Sequence, residues 1–188
     1  MKLQADGYEF DFANALALYK FDDTDKASTH YHGLSHCPMK GVDVVAVFQE
    51  FELWIEIKDY PQMRLEQIRQ GEKGKSGQSI RKEIQDALRI KFRDTFLYRW
   101  CEGLDRKVFY VCLTNFNDAE CRVFNDTMKR TIPAGRKGPR WLRELIAEEH
   151  CFVVDLAAWN RNFIEKIGPK GNIRSHPEPG NQAFERRR

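Results

Sequence analysis

The chain is predicted to fold as an α/β protein, a mixed β-sheet with helices on both faces. Three observations carry that prediction. Two β-rich apolar runs, Val42–Phe48 and Leu53–Lys58, flank a short polar break in the pattern of a β-hairpin. A long stretch from Ser79 to about Trp100 repeats its apolar residues at helical spacing. Two later runs, Val108–Leu113 and Cys151–Leu156, are almost continuously apolar, as strands buried on both faces are. Helical patterns separate them, so the second half reads as a strand–helix–strand crossover.

The 188 residues suit one domain, assigned to 1–169, that is large enough to bury a full core. A hydrophobic fraction of 41% beside a charged fraction of 31% describes a globular protein with a well-charged surface. No apolar run approaches the ~20 residues of a membrane span, and the N-terminus lacks a signal-peptide pattern. No membrane partner is expected, and the cytoplasm is the default location. Five irregularly spaced cysteines do not form a disulfide framework; Cys112 and Cys151 sit in apolar runs and read as reduced thiols.

In chain order, Tyr8–Phe12 alternates like a strand, while Ala13–Tyr19 has the composition of a helix. Thr29–Met39 is a polar loop holding His30, His32, His36 and Cys37. Structural zinc sites usually pair their ligands at short spacing in two places, and only Cys37 offers sulfur here, so the loop reads as one with neutral histidines. Pro61 ends the hairpin, Gln62–Gln70 has the pattern of a short helix, and residues 71–77 form a basic, glycine-containing loop. That loop lacks the P-loop order and reads equally as a phosphate cradle or a linker.

Ser79 is placed to cap the long helix, whose stripe is Ile80, Ile84, Ala87, Leu88, the stem of Lys91, Phe92 and Phe96, with Gly103 as its stop. Asn117 with Glu120 forms a capping box for a helix reaching Arg130. Pro139 is placed to open another, carrying Leu142, Leu145 and Ile146. A last helical stretch covers Trp159–Ile167, and residues 170–188 read as a flexible tail.

Charge is distributed unevenly. The net charge of +3 is small, but Lys73, Lys75, Arg81, Lys82, Arg89, Lys91, Arg93 and Arg99 face only Glu83, Asp86 and Asp94 within one segment. Lys73, Lys75, Arg81 and Lys82 are the candidate contacts for a polyanion.

The hairpin holds the chemistry. Asp43, Glu56 and Lys58 stand inside its runs where apolar residues are expected. Side chains alternate faces along a strand, so Glu56 and Lys58 share one face and Leu53, Ile55 and Ile57 the other. A two-residue turn at Gln49-Glu50 would set Asp43 opposite Glu56, Cβ atoms roughly 5 Å apart. Two carboxylates that close repel each other, and a hard cation such as Mg²⁺ relieves both the repulsion and the cost of burial. Lys58 beside them could orient a water or stabilise charge on a phosphate. The bland alternative is a surface hairpin with solvated Glu56 and Lys58 and an Asp43 that caps a strand.

At these residues the chain resembles the PD-(D/E)xK nuclease superfamily, also called restriction-endonuclease-like. The match is Gly41-Val42-Asp43, a twelve-residue gap, then Glu56-Ile57-Lys58, with Val42 where a proline often precedes the aspartate. The resemblance implies an αβββαβ core, here with C-terminal additions. It implies Mg²⁺ or Mn²⁺ held by Asp43, Glu56 and the backbone carbonyl of Ile57, with Asp22 as a further candidate ligand among Glu9, Asp22 and Asp23. It also implies that Lys58 helps activate the attacking water. The expected activity is metal-dependent hydrolysis of phosphodiesters, of DNA by resemblance alone, with a homodimer left open. The alternatives are a catalytically inactive nuclease-like domain that binds nucleic acid or a protein partner, and, more distantly, a zinc-stabilised interaction protein built on the histidine loop.

Overall fold

A computed structural model of the chain describes residues 1–33, 37, 39–61, 75–163 and 171–175. The expected helix at 62–70, residues 71–74 of the basic loop with Lys73, His36, and the tail from 176 onward lie outside the described residues. The long helix begins at Lys75, so Lys75–Gly77 of the expected loop are helical and Ser79 lies within the first turns rather than at the cap.

A mixed five-stranded sheet forms the centre. Its strands are β3 (Ala17–Lys20), β4 (Val44–Val47), β5 (Phe51–Lys58), β6 (Lys107–Thr114) and β7 (Cys151–Asp155), side by side in that order. The first three are antiparallel, while β5, β6 and β7 run parallel. Two helices make the parallel crossovers: α1 (Lys75–Cys101) between β5 and β6, and α2 (Asp118–Thr131) between β6 and β7. The Asn117–Glu120 capping box is present at the start of α2, each residue's side chain accepting from the other's backbone N–H.

Alternation along the strands divides the core in two. Trp54, Tyr110, Cys112 and Val45 pack with Ile84, Leu88 and Phe92 of α1 and with Phe124 and Met128 of α2. Leu53, Ile55, Val111 and Leu113 point the other way, onto Phe10, Phe12, Trp159 and Ile173. Both long helices therefore lie on one face, which corrects the expectation of helices on both. The second face is covered by a small antiparallel sheet of β1 (Lys2–Ala5), β2 (Tyr8–Phe12) and β8 (Gly171–Ser175), with helical turns at Leu156–Ala158 and Trp159–Phe163 beside it.

Three other expectations are corrected. Ala13–Tyr19 forms no helix; Ala17–Lys20 is instead a strand whose pairing with β4 overrides the helical preference of alanine and leucine. Pro139–Ile146 forms no helix either. Leu142 is 99% exposed while Ile146 is buried in the core, so the supposed apolar stripe is not one buried face, and a short helix without that support is marginal. The tail does not begin at 170, for Gly171–Ser175 is fully paired with β2 and buries Ile173.

Candidate active site

The hairpin has the register that its sequence predicts. Val44 pairs with Ile55 and Val47 with Glu52, leaving Gln49 and Glu50 as the turn and carrying Asp43 to the position facing Glu56. The face shared by Asp43, Glu56 and Lys58 is the one that α1 covers. Glu56 is fully buried, and only 13% of the Asp43 side chain is exposed, so the solvated-hairpin alternative does not hold.

Burial of α1 against this face brings Lys91 between the two acids. Its ammonium donates to Asp43 Oδ1 at 2.8 Å and lies 3.0 Å from Glu56 Oε2. Asp22, just past β3, is 4.0 Å away on the more exposed side. Lys58 Nζ lies 2.5 Å from the other oxygen, Glu56 Oε1. The two ammoniums are the contacts that hold this buried carboxylate, one at each oxygen. Asp43 is better anchored, because its second oxygen accepts the Ile57 N–H at 2.6 Å. To that extent Asp43 does cap a strand while its other oxygen faces the site.

The electrostatics follow from the burial. Desolvation and the neighbouring Asp43 push the Glu56 carboxyl up to about 7, and Lys91 and Lys58 only partly counter them. For Lys91, desolvation works against the charge, but Glu56 and Asp43 outweigh it and the amine is held above its ordinary range.

Other contacts of α1 fix the geometry. Asp94 and Thr95 accept the N–H groups of Lys40 and Val42 at 2.9 and 3.0 Å, holding the chain that leads into Asp43. Gly41 lies between them because a Cβ there would stand 2.4 Å from the Phe21 ring. Arg99 forms a two-pronged pair with the fully buried Glu52, which also accepts from Trp54 Nε1 at 3.0 Å. Lys91 to Arg99 is eight residues of helix, about 12 Å; Glu56 to Glu52 is four residues of strand, about 13 Å. The two charged contacts thus match in spacing, with α1 running antiparallel to β5. Beyond Lys58, Asn115 bonds both backbone groups of Tyr60, pinning the end of β5 to the end of β6.

Asp22, Asp43, Glu56 and Lys58 are brought together. The basic segment is not a free surface: Arg89 pairs with Asp86, Lys91 with the site acids, Arg93 with Asp94 and Arg99 with Glu52. Of the polyanion candidates, Lys75 opens α1, Arg81 is half-buried and Lys82 exposed, roughly 15 Å up the helix from Lys91 and past the end of β5. His30 stacks on Tyr19 at 4.1 Å, and His32 lies against Phe21, 3.8 Å from Asp22. Lys91 is the site residue that sequence reasoning missed. Its signal was available as a full charge within an apolar stripe, on the side of the helix that packs against the sheet.

Among the described residues, no three His, Cys, Asp or Glu side chains are arranged to hold a metal ion by themselves. The acids converge on an ammonium instead. A fully buried carboxylate facing a second carboxylate across a cation is nonetheless a donor set that fits a hard divalent ion. No helix among the described residues is long and apolar enough to cross a membrane. No family model, curated protein or solved structure matches the chain.

Proposed function

We propose that the protein is a metal-dependent nuclease with a restriction-endonuclease-like core, hydrolysing phosphodiester bonds, of DNA in the first instance. One observation carries the reading: Asp43 and Glu56 face each other across one cation, the Lys91 ammonium at 2.8 and 3.0 Å, with Asp22 4.0 Å from it and Lys58 against Glu56. The order β3–β4–β5, α1, β6 supports the core, its leading helix excepted.

Asp43 and Glu56 would hold Mg²⁺ or Mn²⁺, together with the Ile57 carbonyl and with Asp22 on the open side. The ion would supply an acidified water and charge neutralisation at the phosphate. Lys58, a quarter exposed and anchored by Glu56, presents its ammonium at the site's edge. There it can orient the attacking water or meet charge on a phosphate oxygen. Asn115 limits movement of the strand end that carries it.

The second reading is a nuclease-like domain that binds nucleic acid or a protein without cutting. It is favoured by the balance of Asp43 and Glu56 against Lys58 and Lys91, which leaves the site satisfied without metal.

Cleavage of plasmid and single-stranded DNA and of RNA, with Mg²⁺, Mn²⁺ or chelator, separates the two readings. Asp43→Ala, Glu56→Ala and Lys58→Ala are each expected to lose activity by about 100-fold or more while remaining folded. Undiminished cleavage by Lys58→Ala and Glu56→Ala would remove the assignment. Binding without metal-dependent cleavage in the wild type would favour the second reading.

A further inference from the structure

Lys91 is not an ordinary neighbour of the acids. Its nitrogen lies 2.8 Å from Asp43, 3.0 Å from Glu56 and 4.0 Å from Asp22, the side chains that the proposed function assigns to the metal. Resting on that reading, we infer that the Lys91 ammonium is a built-in occupant of the cation position, and that a divalent ion binds only by displacing it.

Space requires the exchange. Mg²⁺ sits about 2.0–2.1 Å from its oxygen ligands. An ion using the two oxygens that the ammonium now contacts at 2.8 and 3.0 Å would compete with it for the same space. Charge requires it too. Asp22, Asp43 and Glu56 stand against Lys58 and Lys91, a net charge of about −1, so a divalent ion added to the intact group would turn it net positive around a fully buried Glu56.

The surroundings supply a direction for the movement. The Lys91 side chain is 13% exposed, whereas Asp22 is 39% exposed on the outward side. Rotation about the lysine stem carries the ammonium toward Asp22 and solvent, where an incoming phosphate would meet it. The backbone of α1 need not move, because Arg99, Asp94 and Thr95 hold it at other points. Metal entry and the appearance of a cation at the mouth of the site are then a single event.

The test is Mn²⁺ binding by calorimetry and by shift of the thermal transition, on full-length protein without nucleic acid. Lys91→Met is expected to bind Mn²⁺ about tenfold tighter or more than wild type, because a like charge has been removed from the position. Adding Asp43→Asn to Lys91→Met should abolish the gain. Equal or weaker binding by Lys91→Met would overturn the inference. If Lys91→Met does not fold without metal, recovery of the fold in Mn²⁺ supports the exchange, and failure to recover refutes it. Tight Mn²⁺ binding by Lys91→Met, with no cleavage by the wild type, would keep this inference and remove the nuclease reading. Metal-dependent cleavage by the wild type, with no gain in binding by Lys91→Met, would do the reverse.

Discussion

Replacing Arg99 with methionine tests how α1 is held over the site. Glu52 is fully buried and receives three donors: Trp54 Nε1 and two nitrogens of Arg99. Without the guanidinium, a buried carboxylate keeps only the indole. Breaking a buried ion pair by removing one partner costs about 3–5 kcal/mol, much of it the penalty of the orphaned charge. In a chain of this size each kcal/mol lowers Tm by about 2–4 °C, so a fall of roughly 6–20 °C is expected. Urea unfolding of wild type, Arg99→Met and the double variant Glu52→Gln/Arg99→Met would measure it, with unchanged m-values showing that the unfolding unit is the same. The double variant should be less damaged than Arg99→Met, because no buried charge remains. A loss within about 0.5 kcal/mol for Arg99→Met would refute the reasoning, the range of surface changes away from such contacts. A double variant at least as unstable as the single would refute it also.

Two further outcomes are expected. Glu56 titrates near 7 in the folded chain against 4.5 ordinarily, so the folded state binds more protons across that window and stability falls as pH rises through it. Urea midpoints from pH 4.5 to 7.5 should show this slope in wild type and lose it in Glu56→Gln. Gly41→Ala must displace the Phe21 ring, two of whose carbons would lie 2.4 and 2.6 Å from the new methyl. It should cost about 1–3 kcal/mol by the same unfolding measurement, and a neutral result would show that the ring moves freely.

The central hairpin was legible because two local signals agreed: alternation fixed which side chains share a face, and the Gln49-Glu50 break fixed the register. Asn117 and Glu120 were legible for the same reason, a cap being settled within four residues. The Asp6-Gly7 turn, with φ of 47° and 81°, was also legible in principle. Asp-Gly between two alternating runs is a strong hairpin signal. Lys91 and Arg99 were not assigned from sequence because their partners lie just before β4 and in β5, and helical periodicity ranks residues by hydropathy without naming what they meet. The strand at Gly171–Ser175 was hidden for a similar reason. Its partner β2 is at the other end of the chain, and its own composition resembles a linker.

The matched spacing of α1 and β5 has a consequence for how this sequence can change over time. A single residue inserted between Lys91 and Arg99 turns one of them by about 100° relative to the other. One cation would then leave its carboxylate, whichever end of the helix stays docked. Insertions are ordinarily tolerated in loops, but this eight-residue interval is fixed in length as well as in composition. Substitutions can accumulate along the outer face of α1 while the count between the two cations holds, together with the Glu-x-x-x-Glu interval on the strand beneath. Descent in such a chain would be recorded less in the letters themselves than in a pair of intervals that must change together or not at all.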